Sequence, residues 1–177
     1  MDPLRDVFFW ATVATATMFL EVAVFISRRR KRRIVYALAG ISAIILFETP
    51  RFLIPLLPQP RIDLPSAKPL GLFLFAFGLA IMALAFFQLM KARKEGWKLQ
   101  TTGVYGIVRH PMYLGDVLWA LGWSLAFKAL YALALTPLWL FLRLCLATLE
   151  EEKLAEKYPE YSEYVRRVRW RIVPFLI

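Results

Sequence analysis

The chain has 177 residues, 59% of them hydrophobic, and a mean hydropathy of +0.53. That length suits one domain, but the composition is too apolar for a soluble one, so the excess is expected to face lipid. One cysteine and one histidine exclude an internal disulfide and a zinc cluster of the Cys/His type, and no metal site is predicted. The net charge of +10 would suit a nucleic-acid partner, but the positions of the charges argue against one.

Five apolar segments approach the length of about 20 residues that a membrane helix needs. They run from Val7 to Ile26, from Ile34 to Leu57, from Pro69 to Met90, from Met112 to Phe127 and from Ala129 to Leu149. Because the last two have almost no loop between them, we predict a tight antiparallel helical hairpin. The predicted fold is an all-α integral membrane protein with about five transmembrane helices in a single membrane domain, residues 1–177. Residues 1–90 are its N-terminal helices, and residues 91–177 contain a loop, the hairpin and a C-terminal tail.

The distribution of Lys and Arg among the connections predicts the orientation in the membrane. Segment 28–33 (RRRKRR), the connection 91–109 and the tail after Leu149 contain six, five and six of these residues, and the connections on the other side contain four. We therefore expect the N-terminus outside and the C-terminus in the cytoplasm. The basic segment is interpreted as an anchor for anionic head groups of the lipid bilayer, and no nucleic-acid partner is expected.

Charged residues inside an apolar segment are costly, so each is a candidate site residue. Glu48 and Arg51 are three residues apart on one helix face and are interpreted as a structural ion pair. Arg143, near the inner end of the last segment, either snorkels to the interface or faces a site, and the sequence leaves both possibilities open.

The only histidine, His110, lies in the stretch TTGVYGIVRHPMYLG, a glycine-containing loop that leads into a helix at Pro111. The glutamates 150–152 follow the fifth segment, where the hairpin would bring them back towards His110. Singly, the histidine could be a helix cap and the glutamates a solvated stretch of helix. Together, the ordered pattern G-x-Y-x-x-x-R-H-P-x-Y-x-G, the hairpin, the glutamates and a tyrosine-rich basic tail predict a polar cofactor pocket at the cytosolic interface.

The stretches GVYGIVRHPMYLG and EEEKLAEKYPEYSEYVRRV, with a final IVP, resemble the isoprenylcysteine carboxyl methyltransferase family, a relative of membrane phospholipid methyltransferases. The resemblance covers roughly residues 91–177 and implies that they are a catalytic core with a cofactor loop. It implies S-adenosylmethionine as methyl donor, S-adenosylhomocysteine as product, and a lipophilic lipid or prenylated acceptor of the isoprenylcysteine carboxylate type. Pro159 replaces a glycine of the family pattern, which leaves open which of the three glutamates is functional.

The resemblance also implies roles for individual residues. The catalytic residues would be Arg143, Glu150 and Glu151. The residues implied to bind the cofactor are Leu99, Thr101, Gly103, Val104, Tyr105, Arg109, His110, Pro111, Tyr113 and Glu150. Apart from the resemblance, the cofactor's sulfonium would be favoured by the glutamates, and its carboxylate would suit Arg109, His110 or free amides at the helix start.

Three alternatives remain. A phospholipid amine is a second acceptor class within the same family. Membrane sterol reductases, which use NADPH, resemble the family on the cofactor side. A non-enzymatic scaffold or small transporter would have its polar residues near the midplane of the membrane, where only Glu21, Glu48 and Arg51 qualify.

Overall fold

The computed structural model describes residues 5–27, 47–96 and 98–176, without the side chains of residues 21, 22 and 24–27. Apart from an isolated β-bridge between Arg61 and Ala129, the regular structure in these ranges is helical. The basic segment 28–33 and most of the second predicted membrane segment lie outside the described residues. The helices are α1 (Val7–Ser27), α2 (47–53, continued by the 3-10 turn Ile54–Leu56), α3 (Ala67–Lys94), α4 (Pro111–Ala126), α5 (Leu130–Lys157) and α6 (Tyr161–Arg167), with a second 3-10 turn at Gly103–Gly106.

The predicted all-α class is confirmed for this part of the chain, which contains two helices that are long and apolar enough to cross a membrane, α3 and α5. Each has 28 residues and is about 42 Å long at 1.5 Å per residue, more than the ~30 Å of a hydrocarbon core. Large side chains of α3 are exposed, among them Phe73 at 63% and Phe87 at 68%. Lipid would cover such a surface. The number of five crossings stays a prediction.

The helices pack as neighbours in the order α3, α4, α5 and α1. Val7, Ala14 and Met18 of α1 form one buried cluster with Ala132 and Trp139 of α5. Residues 127–129 join α4 to α5, and the two helices run antiparallel, since residue 113 near the start of α4 contacts residue 150 near the end of α5.

α5 continues eight residues beyond its predicted end at Leu149. The stretch that follows, EEEKLAEK, consists of strong helix formers, so the helix extends past the apolar segment to Lys157. This extension fixes the directions in which Glu150 and Glu151 point.

Arg61 lies at the end of the bundle where α4 turns into α5, and it binds backbone carbonyl groups there. Its Nη1 donates to the carbonyl oxygens of Pro55 at 2.7 Å and Phe127 at 2.8 Å, and its Nη2 donates to that of Leu57 at 2.9 Å. These bonds satisfy carbonyl groups that the chain turns leave without helical partners. They also tie the connection after α2 to the turn between α4 and α5.

Four glycines allow α3 and α4 to approach closely. Gly71 and Gly78 lie on α3, seven residues apart, and face Gly122 and Gly115 of α4, which are also seven apart. A Cβ atom on Gly78 would come within 2.6 Å of the carbonyl oxygen of Gly115, which is backbone and cannot move aside. Small residues at the contact are typical of helix pairs in membranes, where close backbone packing replaces the hydrophobic driving force.

Gly78→Val is therefore expected to separate α3 from α4 and to lower the free energy of unfolding by about 1–3 kcal/mol or more. Thermal unfolding in detergent measures the effect. Ala80→Val, at an exposed position of the same helix, is the matched control and should leave the midpoint nearly unchanged. Equal midpoints for the two variants would contradict the close approach.

Candidate functional site

A cavity of about 460 Å³ opens at the end of the bundle opposite Arg61. Its wall comes from the end of α3, the turn Gly103–Gly106, the start of α4, the end of α5 and α6. The volume lies in the range of small-molecule sites, about 300–1,000 Å³. Within the described residues, Glu150 is the one acidic residue of the wall. The wall also has four lysine or arginine side chains and five tyrosines, namely Arg93, Lys98, Arg109 and Lys157, with Tyr105, Tyr113, Tyr158, Tyr161 and Tyr164.

His110 lies between two carboxylates. Its Nε2 is 3.1 Å from Oε1 of Glu151, and its Nδ1 is 3.5 Å from Oε2 of Glu150. The residue is only 6% exposed. A carboxylate beside each ring nitrogen favours the imidazolium form, in which both nitrogens donate.

The pKa of His110 follows from this geometry. Burial alone would lower it, but the hydrogen bonds and charges of Glu150 and Glu151 outweigh burial and raise it above the ordinary 6.5. His110 occupies the N-cap position of α4, yet its side chain makes no capping hydrogen bond. The helix-cap interpretation is therefore wrong, because the imidazole is turned towards α5.

Arg109 joins the same group from the other side of Glu151. Its Nε donates to Oε1 of Glu151 at 2.8 Å, and its Nη1 donates at 2.8 Å to the carbonyl oxygens of Val168 and Arg169. Arg171 adds a second cation, with Nη2 at 3.0 Å from Oε2 of Glu151. Glu151 is thus a buried acceptor for three cationic groups, and it is not among the residues that line the cavity.

Residues 168–176, called here the closing segment, pair with the start of α4. The backbone N–H of Arg109 donates to the carbonyl of Trp170 at 2.9 Å, and that of His110 donates to the carbonyl of Arg171 at 2.8 Å. Val168 and Ile172 anchor the segment because both are buried. The irregular tail therefore holds the backbone that carries the site.

Three tyrosines shape the cavity in different ways. Tyr113 stacks on His110, with ring centroids 5.4 Å apart and planes 8° apart, and its hydroxyl donates to Glu150 at 3.1 Å. Tyr164 donates to the carbonyl of Tyr105 at 2.8 Å, which ties α6 to the 3-10 turn. The buried hydroxyl of Tyr161 has no partner among the described residues. Burial raises the pKa of Tyr161, so this hydroxyl stays protonated and able to donate.

Some of the predicted site residues line the cavity and others do not. Those that line the cavity are Leu99, Tyr105, Arg109, His110, Pro111, Tyr113 and Glu150. Thr101, Gly103 and Val104 lie outside its wall and shape the loop instead. Gly103 has a φ of +63°, a left-handed conformation that glycine adopts without strain, and its Cα faces the side chain of Gln88.

Arg143 does not line the cavity either. It belongs to a set of charged residues called here the buried charge cluster: Glu48, Arg51, Asp116 and Arg143. Its Nε donates to Asp116 at 2.9 Å and its Nη2 to Glu48 at 3.2 Å. The predicted pair of Glu48 and Arg51 is confirmed at 3.1 Å, but Arg51 also donates to Asp116, at 2.7 Å. Tyr113 connects this cluster to the cavity wall, since the guanidinium carbon of Arg143 lies 5.4 Å from the centroid of the Tyr113 ring.

Sequence reasoning missed Asp116 and gave Tyr158, Tyr161 and Tyr164 no individual roles. Asp116 is an isolated charge inside the fourth apolar segment, and that position was a usable signal. Tyr161 and Tyr164 are three residues apart, which places them near one face of α6, and Tyr158 lies three residues before that helix. Arg93 and Lys98 gave no signal beyond their charge, because their place in the wall depends on where α3 ends.

Helices apolar enough to span a bilayer, with a polar cavity at one end, define a membrane-associated helical protein. The sequence profile of the phospholipid methyltransferase family matches residues 68–161, more than half of the chain. The chain belongs to the phospholipid methyltransferase family, which confirms the resemblance found in the sequence. The matched range extends from the first turn of α3 to the first residue of α6 and so contains His110, Glu150 and Glu151.

Curated relatives carry a different name. A Delta(14)-sterol reductase of Arabidopsis thaliana is 40% identical over 91 residues, and one of Mus musculus is 36% identical over 84 residues. A third, of Methylotuvimicrobium alcaliphilum, is 34% identical over 87 residues. Each match covers 46% of this chain, and the chain spans about a fifth of the length of these relatives, 20–23%. No solved structure matches the chain.

The pKa of His110 can be measured directly, because the chain has one histidine and its ring signals need no assignment. In tag-free protein with isotope-labelled histidine, an NMR titration should give a pKa above 6.5, and Glu151→Gln should lower it. Because folding raises this pKa, the linked stability is complete below the unfolded-state value and is lost as the pH rises through the folded-state value.

Glu152→Gln is the matched control for this titration, since Glu152 is the exposed neighbour on the same helix. We expect it to leave the pKa of His110 unchanged. A pKa at or below 6.5 in the unmodified protein would mean that the histidine is not held as an imidazolium.

Proposed function

We propose that the chain is an S-adenosylmethionine-dependent integral membrane methyltransferase that acts on a lipophilic acceptor at the cytosolic interface. One observation carries this proposal. A tyrosine-lined cavity of about 460 Å³ has the buried His110 and Arg109 and the partly exposed Glu150 in its wall, at the end of long apolar helices. Membership of the phospholipid methyltransferase family supports methyl transfer as the reaction.

The side chains of the cavity fit the chemistry of this cofactor. A sulfonium and an amino group are cations, and the carboxylate of Glu150 in the wall favours them. The faces of the tyrosine rings attract a sulfonium and stack on an adenine ring. Arg93 and Lys98 suit a carboxylate. The buried hydroxyl of Tyr161 lacks a protein partner among the described residues and is the kind of donor that a ligand satisfies.

The cofactor supplies a methyl group that is already activated for in-line displacement. The task of the protein is therefore to align the reactants and exclude water. His110 and Arg109 hold Glu150 and Glu151 in fixed positions, so that their charges do not reorganise during the reaction. We propose that the acceptor enters the cavity from the bilayer, between helices near the inner end.

Two acceptor classes remain within this proposal. An isoprenylcysteine-type carboxylate would be positioned by Arg143, whose guanidinium reaches the ring of Tyr113 at the cavity wall. A phospholipid amine would lose its proton to Glu150, the glutamate in the cavity wall, as general base. The description of the family favours the phospholipid. Because Arg143 is engaged by Asp116 and Glu48, its direct role in catalysis stays a proposal.

The proposed topology has several crossings, the N-terminus outside and the site on the cytosolic side. The support is the excess of Lys and Arg near the site compared with the opposite end, where Arg61 and Lys128 lie. A water-soluble cofactor would reach the cavity from the cytosol in this orientation.

A reductase that binds NADPH is the second candidate function. The observation in its favour is the 34–40% identity to proteins named Delta(14)-sterol reductase. The cations of the cavity wall would suit the phosphates of a dinucleotide as well as a carboxylate. The two functions differ in the cofactor, so binding distinguishes them.

Isothermal calorimetry on the purified protein in detergent should show saturable binding of S-adenosylmethionine and no binding of NADPH. His110→Ala should weaken this binding about tenfold or more, because it removes the cation that holds Glu150 and Glu151 in place. Thermal unfolding of the variant checks that it is folded. Binding of NADPH alone, by folded protein, would replace the methyltransferase proposal with the reductase.

Tyr161→Phe tests the unpartnered hydroxyl in the same assay. We expect roughly five- to tenfold weaker binding of S-adenosylmethionine, since one hydrogen bond to the ligand is lost. Tyr131→Phe removes a hydroxyl at the far end of α5 and is the matched control, with unchanged affinity expected. Equal affinities for both variants would show that the Tyr161 hydroxyl does not contact the cofactor.

A further inference from the structure

The closing segment and α6 carry a surface that is both cationic and apolar. Arg166, Arg167 and Arg169 are exposed, and Phe175 and Leu176 are 85% and 72% exposed. The ring of Phe175 lies against that of Trp170, with centroids 5.4 Å apart. Basic residues next to exposed aromatic and aliphatic side chains are typical of segments that lie in the interface of an anionic membrane.

The position of this surface agrees with the depth of lipid head groups. α4 has 16 residues and is about 24 Å long, shorter than a hydrocarbon core of ~30 Å. With its last turn at the opposite edge, its first turn lies within about 6 Å of this edge of the hydrocarbon. The closing segment pairs with Arg109 and His110, immediately before that turn, so its exposed side chains face the same depth.

The surface is also connected to the site by hydrogen bonds. The carbonyls of residues 168–171 accept from the side chain of Arg109 and from the backbone N–H groups of Arg109 and His110. Arg171 bonds Glu151, the carboxylate that holds His110. Whatever fixes the closing segment therefore fixes the site.

We propose that this surface binds the anionic head groups of the bilayer that holds the protein, and that this contact fixes the closing segment against the start of α4. Arg166 and Arg169 supply the attraction to the lipid, and Phe175 and Leu176 insert below the head groups. The surface itself is independent of the reaction, whereas its effect on cofactor affinity rests on the proposed function.

The location is tested with a fluorophore at Leu176→Cys in a Cys145→Ala background, since Cys145 is the one native cysteine. Nanodiscs of phosphatidylcholine are compared with nanodiscs that contain about 30% phosphatidylglycerol, both with brominated chains. We expect strong quenching in the anionic discs. A fluorophore that remains unquenched in both kinds of nanodisc would overturn the proposal. The same holds for a fluorophore that a protein partner or a second copy of the chain shields from the lipid.

The connection to the site is tested by hydrogen exchange at the backbone N–H groups of Arg109 and His110, which needs no cofactor. Anionic lipid should slow their exchange several-fold. The double variant R166Q/R169Q should lose this effect, because removal of each arginine weakens the attraction to anionic lipid roughly fivefold. The double variant K91Q/K94Q removes the same charge from the exposed last turn of α3 and should keep the effect.

Equal responses of the two double variants would overturn the proposal, because the effect would then come from total charge. Where S-adenosylmethionine binds, its affinity should rise several-fold in anionic discs and follow the same pattern of variants. Quenching and slowed exchange without any cofactor binding would support this surface and refute the proposed methyltransferase, so the two failures can be told apart.

Discussion

The structure of the site depends on one ionic group, in which His110 contacts the carboxylates of Glu150 and Glu151 and Arg109 contacts that of Glu151. These residues come from the start of α4 and the end of α5, and the backbone of the closing segment binds the same arginine. Because Arg109, His110 and Glu151 are buried, each of these charges needs its partners, and loss of one would leave the others uncompensated. The same contacts that join three parts of the chain therefore also prepare the wall of the cavity.

The apolar surroundings impose a second constraint on the bundle. Charged groups among apolar helices need partners of opposite charge, and the buried charge cluster pairs two arginines with two carboxylates. Close packing of α3 on α4 requires glycine at Gly78 and Gly115, since a side chain would meet backbone. The ring of Tyr113 lies between Arg143 and His110, so the cluster supports the cavity wall without lining it.

Apolar segments predicted the helices well where hydropathy alone decides, as for α1 and α4, whose predicted and observed limits differ by a residue or so. The end of α5 was predicted too early because residues 150–157 are mostly polar. Helix propensity, rather than hydropathy, makes this stretch helical. His110 and Glu150 could be predicted to meet, since the order of the motifs and an antiparallel return bring them together. The bonds from residues 168–171 could not be predicted, because they use backbone groups of an irregular segment that has no periodicity.

The central claim is that this cavity serves methyl transfer to a lipophilic acceptor. The most direct measurement incubates membranes containing the protein with S-adenosylmethionine that carries an isotope-labelled methyl group, and then extracts the lipids. The account predicts label in the organic phase, strongly reduced for His110→Ala and unchanged for Tyr131→Phe. An unlabelled organic phase, together with oxidation of NADPH that depends on an added sterol, would contradict the account and make the chain a reductase.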